Sequence, residues 1–151
     1  MVRRRLVDEG AIFMNSTLVA TVVKNKLEEI RFTVLKNNKI DIRTYFHFPQ
    51  EPEPKPTKKG IWLSFKHVTP IVNALEKLKV NPQADFSFEL EGSDKEQLRV
   101  YTNEYLRNKL VHFRTFYLKN NEFQPGRGIA FVASLAPNMI DALRQAEKLK
   151  Q

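Results

Sequence analysis

The chain has 151 residues, of which 42% are hydrophobic, so it is long enough to bury the core of one domain. A formal net charge of +8 and a pI near 9.8 favour polyanionic partners, with nucleic acid ahead of anionic membranes. The absence of cysteine excludes disulfides, thiolate metal sites and cysteine nucleophiles, and it favours an intracellular protein.

Residues 1–15 are predicted to form a basic N-terminal arm that carries the cluster Arg3-Arg4-Arg5. Asp8 and Glu9 interrupt the apolar run that a signal peptide would need. No stretch approaches the roughly 18 apolar residues of a membrane span. We therefore expect a soluble protein of the cytoplasm, nucleoid or nucleus that makes no membrane contact. The arm fits a phosphate contact and a solubilising tail equally well.

Residues 16–80 have the pattern of four strands and a helix. Alternation of apolar and polar residues predicts strands over residues 17–24, 28–36, 39–48 and 60–65. Asn37-Asn38 predicts a tight hairpin between the second and third strands. Helical spacing follows from Thr69-Pro70 to residue 79, and Asn81-Pro82 ends it. The proline-rich residues 49–56 are predicted to form an extended arm before the fourth strand.

Residues 81–151 repeat this order. Strands are predicted over residues 86–91, 98–102, 110–118 and 128–133, and a helix from about Ser134 onward. The two halves also share letters, because IDIRTYF at residues 40–46 recurs as VHFRTFY at residues 111–117. A basic-glycine step follows each, as KKGIWL and GRGIAF. The sequence therefore predicts an α+β fold of two tandem ββββα repeats in one compact body.

These repeated stretches resemble the positive cofactor 4 family of transcriptional coactivators, a ββββα fold that binds single-stranded DNA. The resemblance covers about residues 17 to 150 and rests on NKIDIRTYF, KPTKKGIWLS, FRTFY and FQPGRGIAF. In that family one copy dimerises through its helix, and the strand edges form paired channels. Two copies in one chain imply an intramolecular pseudo-dimer, with antiparallel curved sheets and helices packed together. A further homodimer stays open. The related Whirly and Pur-alpha types also bind single strands.

The resemblance also implies which residues bind. Arg43 and Phe46, and their counterparts Arg114 and Tyr117, match the phosphate-contact and base-stacking positions. Further backbone contacts are predicted at Lys36 and Lys39 beside the first hairpin, and at Lys55, Lys58, Lys59 and Arg127 in the basic step. Alternation leaves Phe46 and Tyr117 open as core residues, because each shares a face with apolar neighbours. For Trp62, between Ile61 and Leu63, alternation favours core or interface over a stacking surface.

Binding of single-stranded DNA in transcription, replication or repair is thus the leading hypothesis, with transcription or replication proteins as possible partners. Single-strand binding needs cations along the backbone path and aromatic faces for the bases, and the strands interleave both. Residues 16–79 hold 12 basic against 6 acidic residues and residues 80–151 hold 10 against 9, so the first repeat should dominate electrostatic capture. An RNA-binding protein on the same fold, and a protein-interaction scaffold with an acidic partner, are the alternatives.

Catalysis is not expected. The three histidines, His47, His67 and His112, have no metal-ligand spacing, and the chain has no glycine-rich phosphate loop or nucleophile elbow. We therefore predict no catalytic residue, no metal site and no cofactor.

Overall fold

The computed structural model describes residues 16–150, so the predicted arm with Arg3-Arg4-Arg5 lies outside the described residues. It confirms an α+β fold of two tandem ββββα repeats, each an antiparallel sheet followed by a helix. The first sheet contains β1 (Thr17–Val23), β2 (Glu28–Val34), β3 (Lys39–Phe46) and β4 (Lys55–Ser64), in that order. The second contains β5 (Ser87–Gly92), β6 (Glu96–Tyr105), β7 (Asn108–Lys119) and β8 (Glu122–Val132). The helices are α1 (Val68–Val80) and α2 (Ala136–Glu147).

Each sheet has one apolar face because apolar residues recur at every second position of its strands. Ile30, Phe32, Ile40, Ile42 and Leu63 supply this inner face in the first sheet, and all five are fully buried. Val100, Val111, Phe113, Ile129 and Phe131 supply it in the second sheet, with no more than 1% of any of them exposed. Charged, polar and aromatic side chains occupy the other parity, which forms the outer face of each sheet.

Several strands are longer than the alternation predicts. β4 begins at Lys55, where the sequence predicts an extended arm, and β6 and β8 each start before the predicted residue. The alternation fades where both faces of a strand carry polar residues, which explains the missed ends. Pro56 and Pro125 lie inside β4 and β8. Both strands are edge strands of their sheets, where a missing N–H breaks no ladder.

Three of the hairpin turns use left-handed backbone. Asn38 closes the β2–β3 hairpin with φ of 63°, as the turn chemistry of Asn37-Asn38 predicts. Asn120 and Asn121, with φ of 54° and 64°, do the same between β7 and β8. The β6–β7 turn uses Leu106 and Arg107 at positive φ instead, and the β6–β7 ladder extends to Tyr105 opposite Asn108.

The two repeats share one core. α1 packs against α2, and α2 also packs on β1 and β2 of the first sheet. Strand β4 lies against β8, and the Lys24 Nζ atom of the first repeat donates to the carbonyl oxygen of Ala130 in the second, at 3.1 Å. The buried residues of both sheets and both helices form a single cluster. Within residues 16–150, no helix is long and apolar enough to cross a membrane.

Candidate nucleic-acid interface

Matching rows of residues cross the outer faces of the two sheets. Arg43 of β3 opposes Arg31 on β2 and Gly60 on β4. In the second sheet Arg114 of β7 opposes Arg99 on β6 and Gly128 on β8. Two residues further along β3 and β7, Tyr45 opposes Pro56 and Phe116 opposes Pro125. The two repeats therefore present the same pattern of arginine, glycine and aromatic residue.

An arginine covers an aromatic ring in each row. The Arg31 guanidinium carbon lies 4.5 Å from the centroid of the Tyr45 ring, and that of Arg99 lies 4.2 Å from the centroid of Phe116. The Arg31 Nε atom donates to the Glu29 carboxylate at 2.7 Å, and the Arg99 Nε atom donates to the Gln97 amide oxygen at 2.8 Å. We call these residues the arginine–aromatic rows, namely Arg31, Arg43 and Tyr45 in the first sheet and Arg99, Arg114 and Phe116 in the second.

A glycine leaves room for the arginine where each row meets its edge strand. A Cβ atom at Gly60 would lie 2.7 Å from the Arg43 guanidinium carbon. A Cβ atom at Gly128 would lie 2.6 Å from the Phe113 carbonyl oxygen and 2.9 Å from the Arg114 Cα atom. Both glycines sit beside a bulge in the edge strand, so the basic-glycine step lets the chain pass close to the arginine.

The two predicted arginines have different partners. Arg43 donates to the buried Asp41 carboxylate from Nη2 at 2.9 Å and from Nε at 3.3 Å, and its Nη1 atom donates to the Thr57 carbonyl oxygen at 2.8 Å. Arg114 donates from Nη1 to the Gly126 carbonyl oxygen at 3.0 Å. Among residues 16–150, no carboxylate lies within ion-pair distance of Arg114. The Arg114 charge is therefore the less compensated of the two.

His112 occupies the position of Asp41 in the second repeat and extends its row. The His112 ring stacks on Tyr101 with centroids 4.6 Å apart and planes inclined by 5°. Its Nε2 atom lies 2.9 Å from the Asn103 amide oxygen, and its Nδ1 atom is buried without a hydrogen-bond partner. Burial, and then the neighbouring Arg114 charge, lower the pKa of His112. The neutral ring is therefore the favoured form beside Arg114.

Phe46 and Tyr117, the predicted stacking residues, lie on the other face from the arginines. Each is three residues after its arginine on the same strand, and successive strand residues point to opposite faces. Neither ring is sealed in the core. Phe46 is half-buried against Phe48, with ring centroids 4.7 Å apart, and Tyr117 is 43% exposed. The structure therefore does not bring Phe46 together with Arg43, or Tyr117 with Arg114.

The predicted lysines divide into exposed and anchored side chains. Lys36, Lys55, Lys58 and Lys59 are exposed, as is Arg127. Lys55 lies 3.9 Å from the Glu51 carboxylate, and the half-buried Lys39 donates to the Ser64 hydroxyl at 2.8 Å. Burial, and then the charge of Lys59, lower the pKa of Lys24 against the opposing effect of Glu28. Lys59 therefore adds to the positive potential around Lys24.

The aromatic members of the rows, Tyr45 and Phe116, were not among the predicted binding residues. Tyr45 and Phe116 share strand parity with Arg43 and Arg114, and this alternation was the signal that could have found them. Arg31 and Arg99 required the strand register as well, which no local pattern supplies. Trp62, predicted as core or interface, is 46% exposed on the outer face, while Ile61 and Leu63 are buried.

The chain matches no protein-family model, and no curated protein is significantly similar to it. The resemblance to positive cofactor 4 proteins therefore stays a prediction made from the residues. In the part of the chain that the structure describes, no cluster of histidine and acidic residues could hold a metal ion. What the geometry offers is an array of cations and ring faces across two sheets.

Proposed function

We propose that this protein binds single-stranded nucleic acid, single-stranded DNA in particular, and acts by holding the strand. The observation that carries the proposal is the arginine–aromatic rows, with Arg31 at 4.5 Å from the Tyr45 ring and Arg99 at 4.2 Å from the Phe116 ring. Sequence-tolerant binding of a single strand combines cations that follow the backbone with flat surfaces on which bases stack. A guanidinium held over an aromatic ring offers both in one unit.

Because the arginine–aromatic rows occur in both sheets, we expect the bound nucleic-acid strand to contact the protein through more than one nucleotide. Each sheet contributes one covered ring and two arginines, and the second sheet adds the stacked pair Tyr101 and His112. A strand that crosses both sheets would therefore meet several stacking surfaces in turn. Single-strand sites typically span about 4 to 16 nucleotides per binding unit, and two repeats fit that scale.

The net charge of +8 supports a polyanionic ligand, and the exposed cations lie where a backbone would pass. The basic steps contain Lys58 and Lys59 just before Gly60, and Arg127 just before Gly128. These two glycines pair with Arg43 and Arg114 of the rows. Each phosphate that such a cation neutralises on a single strand adds about 0.7 to the slope of log affinity against log salt. Binding should therefore weaken steeply as salt is added.

Fluorescence anisotropy with a labelled thymidine oligonucleotide of about 16 nucleotides, the upper end of single-strand site sizes, tests the proposal. We expect saturable binding that a matched duplex displaces poorly, because a base-paired strand hides its ring faces. Equal or tighter binding of the duplex would contradict the proposal. A variant with Arg99→Gln and Phe116→Leu should lose affinity, whereas Val80→Ala, at the exposed end of α1, is the surface control.

A matched RNA oligonucleotide used as competitor tests the preference for DNA. Stacking on a ring does not distinguish ribose from deoxyribose, and only contacts to the 2′-hydroxyl would do so. A competitor RNA that displaces the DNA at a tenfold lower concentration would make RNA the ligand of the same surface.

A further inference from the structure

A cleft of about 300 Å³ lies where the outer face of the first sheet meets the second repeat. Its volume is at the lower end of the ~300–1,000 Å³ range of ligand pockets, which suits one nucleotide-sized group and excludes a folded partner. The cleft brings together two of the predicted cations, Arg43 and Arg127, which belong to different repeats. Its other main lining residues are Gly60, Trp62, Glu96 and Thr115.

Trp62 supplies the flat wall of this cleft. Its neighbours Ile61 and Leu63 are buried on the inner face, so the alternation of β4 turns the indole outward, where 46% of it is exposed. A large exposed aromatic side chain beside cations is the combination on which bases of a single strand stack. Trp62 is also the one tryptophan in the 151-residue chain, so its fluorescence reports on this cleft alone.

The charges of the cleft fix which side a phosphate would occupy. Arg43 is paired with Asp41 and has only 15% of its side chain exposed, so it mainly shapes the wall. Arg127 is exposed, and it makes no ion pair among residues 16–150, which leaves its guanidinium free for a phosphate. The Glu96 carboxylate repels phosphate from its own side of the cleft. A bound nucleotide would therefore place its base along Trp62 and its phosphate towards Arg127.

In the second repeat Ala130 replaces the tryptophan of this wall. Trp62 follows Gly60 by two residues and pairs with Asp41, and Ala130 follows Gly128 by two residues and pairs with His112. The methyl group of Ala130 offers no ring face. The amino group of Lys24 approaches this place, because it donates to the Ala130 carbonyl oxygen at 3.1 Å. The counterpart of the cleft therefore has a cation, and no aromatic side chain stands at the position equivalent to Trp62.

We propose that the cleft between the repeats is a site for one nucleobase of a bound single strand, stacked on Trp62 with the adjoining phosphate on Arg127. Among residues 16–150, the position equivalent to Trp62 holds Ala130, so the protein holds the nucleic-acid strand asymmetrically despite its internal repeat. This inference rests on the proposed function and specifies one subsite within it.

Titration of the full chain with an unlabelled thymidine oligonucleotide of about 16 nucleotides, followed by tryptophan fluorescence, tests the inference. A labelled copy of the oligonucleotide is followed by anisotropy in parallel. We expect quenching of Trp62 that saturates together with the anisotropy, and reduced access of acrylamide to Trp62 in the complex. Trp62→Ala should weaken binding roughly 5- to 150-fold, the value of one lost base stack. Trp62→Phe, which keeps a ring, is the matched control and should retain most of the affinity.

The outcomes separate this inference from the proposed function. Binding by anisotropy with unchanged fluorescence and unchanged acrylamide access would overturn the cleft site while single-strand binding stands. Equal affinities of the Trp62→Ala and Trp62→Phe variants would overturn it as well. Absence of any binding by anisotropy would remove the proposed function itself. The acrylamide measurement uses the unmodified protein, so it decides the matter even if the alanine variant fails to fold.

Discussion

Arg43 and Asp41 form a closely held ion pair on the outer face of the first sheet, with 15% of the arginine side chain and 1% of the aspartate side chain exposed. Two nitrogen atoms of Arg43 reach the carboxylate, so the geometry is bidentate. In the second repeat His112 occupies the position of Asp41, and Arg114 makes no ion pair within residues 16–150. The same arginine in the repeat therefore supports the fold in one half and is available to an anion in the other.

Replacement of Arg43 should act mainly on stability. Arg43→Ala would leave Asp41 buried without its partner, and breaking a buried pair from one side costs about 3–5 kcal/mol. We expect a loss of about 3 kcal/mol in the free energy of unfolding, measured by urea denaturation. Addition of Asp41→Asn should restore part of this loss, because it removes the buried charge. If the free energy of unfolding of Arg43→Ala lies within ~1 kcal/mol of the parent value, water screens the pair between Arg43 and Asp41.

Replacement of Arg114 should act mainly on binding. Arg114→Gln removes an uncompensated cation from the row, so the affinity for a single-stranded oligonucleotide should fall at low salt. The slope of log affinity against log salt should shrink by about 0.7, the contribution of one phosphate contact. Anisotropy titrations at several salt concentrations give both numbers. An unchanged slope would show that Arg114 makes no contact with the phosphates of the bound oligonucleotide.

Two adjacent residues of β7 can show which face of the sheet binds the nucleic acid. Phe116→Leu removes a ring from the arginine–aromatic row, whereas Tyr117→Leu removes one from the opposite face of the same strand. We expect the Phe116 variant to lose tenfold or more in affinity, since one stacked base contributes ~1–3 kcal/mol. The Tyr117 variant should stay within about threefold of the parent, well inside that range. The reverse order would support the stacking role that the family resemblance implies for Tyr117.

The glycines of the basic steps should differ in their tolerance of a methyl group. Gly128→Ala places its Cβ atom against backbone atoms of Phe113 and Arg114, which cannot move without disturbing the ladder between β7 and β8. Overpacking of this kind costs ~1–3 kcal/mol. Gly60→Ala meets the Arg43 guanidinium, which can shift without moving the backbone, at the cost of loosening its pair with Asp41. Thermal unfolding should therefore show the larger loss for Gly128→Ala, and equal losses would contradict this account.

His112 should make stability depend on pH below neutrality. Burial and the Arg114 charge lower its pKa in the folded protein from the ordinary value of 6.5, so the unfolded chain binds a proton first as the pH falls. Its contribution to stability is therefore intact above pH 6.5 and is lost below it. Urea unfolding at pH values on either side of 6.5 should show a smaller drop for His112→Gln than for the parent. Equal drops would exclude His112 as the source.

The local elements follow from the sequence because they depend on local spacing. Period-two alternation predicts the eight strands, helical spacing predicts α1 and α2, and Asn37-Asn38 predicts the first hairpin turn. The repeated Arg-Thr-aromatic-aromatic pattern predicts two copies of one unit. The predictions fail at the polar ends of β4, β6 and β8, where neither face is apolar enough to mark the strand. The register between β2 and β3 places Arg31 over Tyr45, and it cannot be predicted from the pattern of either strand alone.

What only the tertiary structure decided is which faces meet. Alternation puts Trp62 opposite Ile61 and Leu63, yet whether that side is covered depends on the second repeat, far away in sequence. The packing of α2 on β1 and β2, and the cleft that joins Arg43 to Arg127, depend on the same long-range fit. Local periodicity assigns a residue to a side of its own element. Whether that side is buried depends on which distant elements pack against it. That packing is determined by the free energy of the whole core.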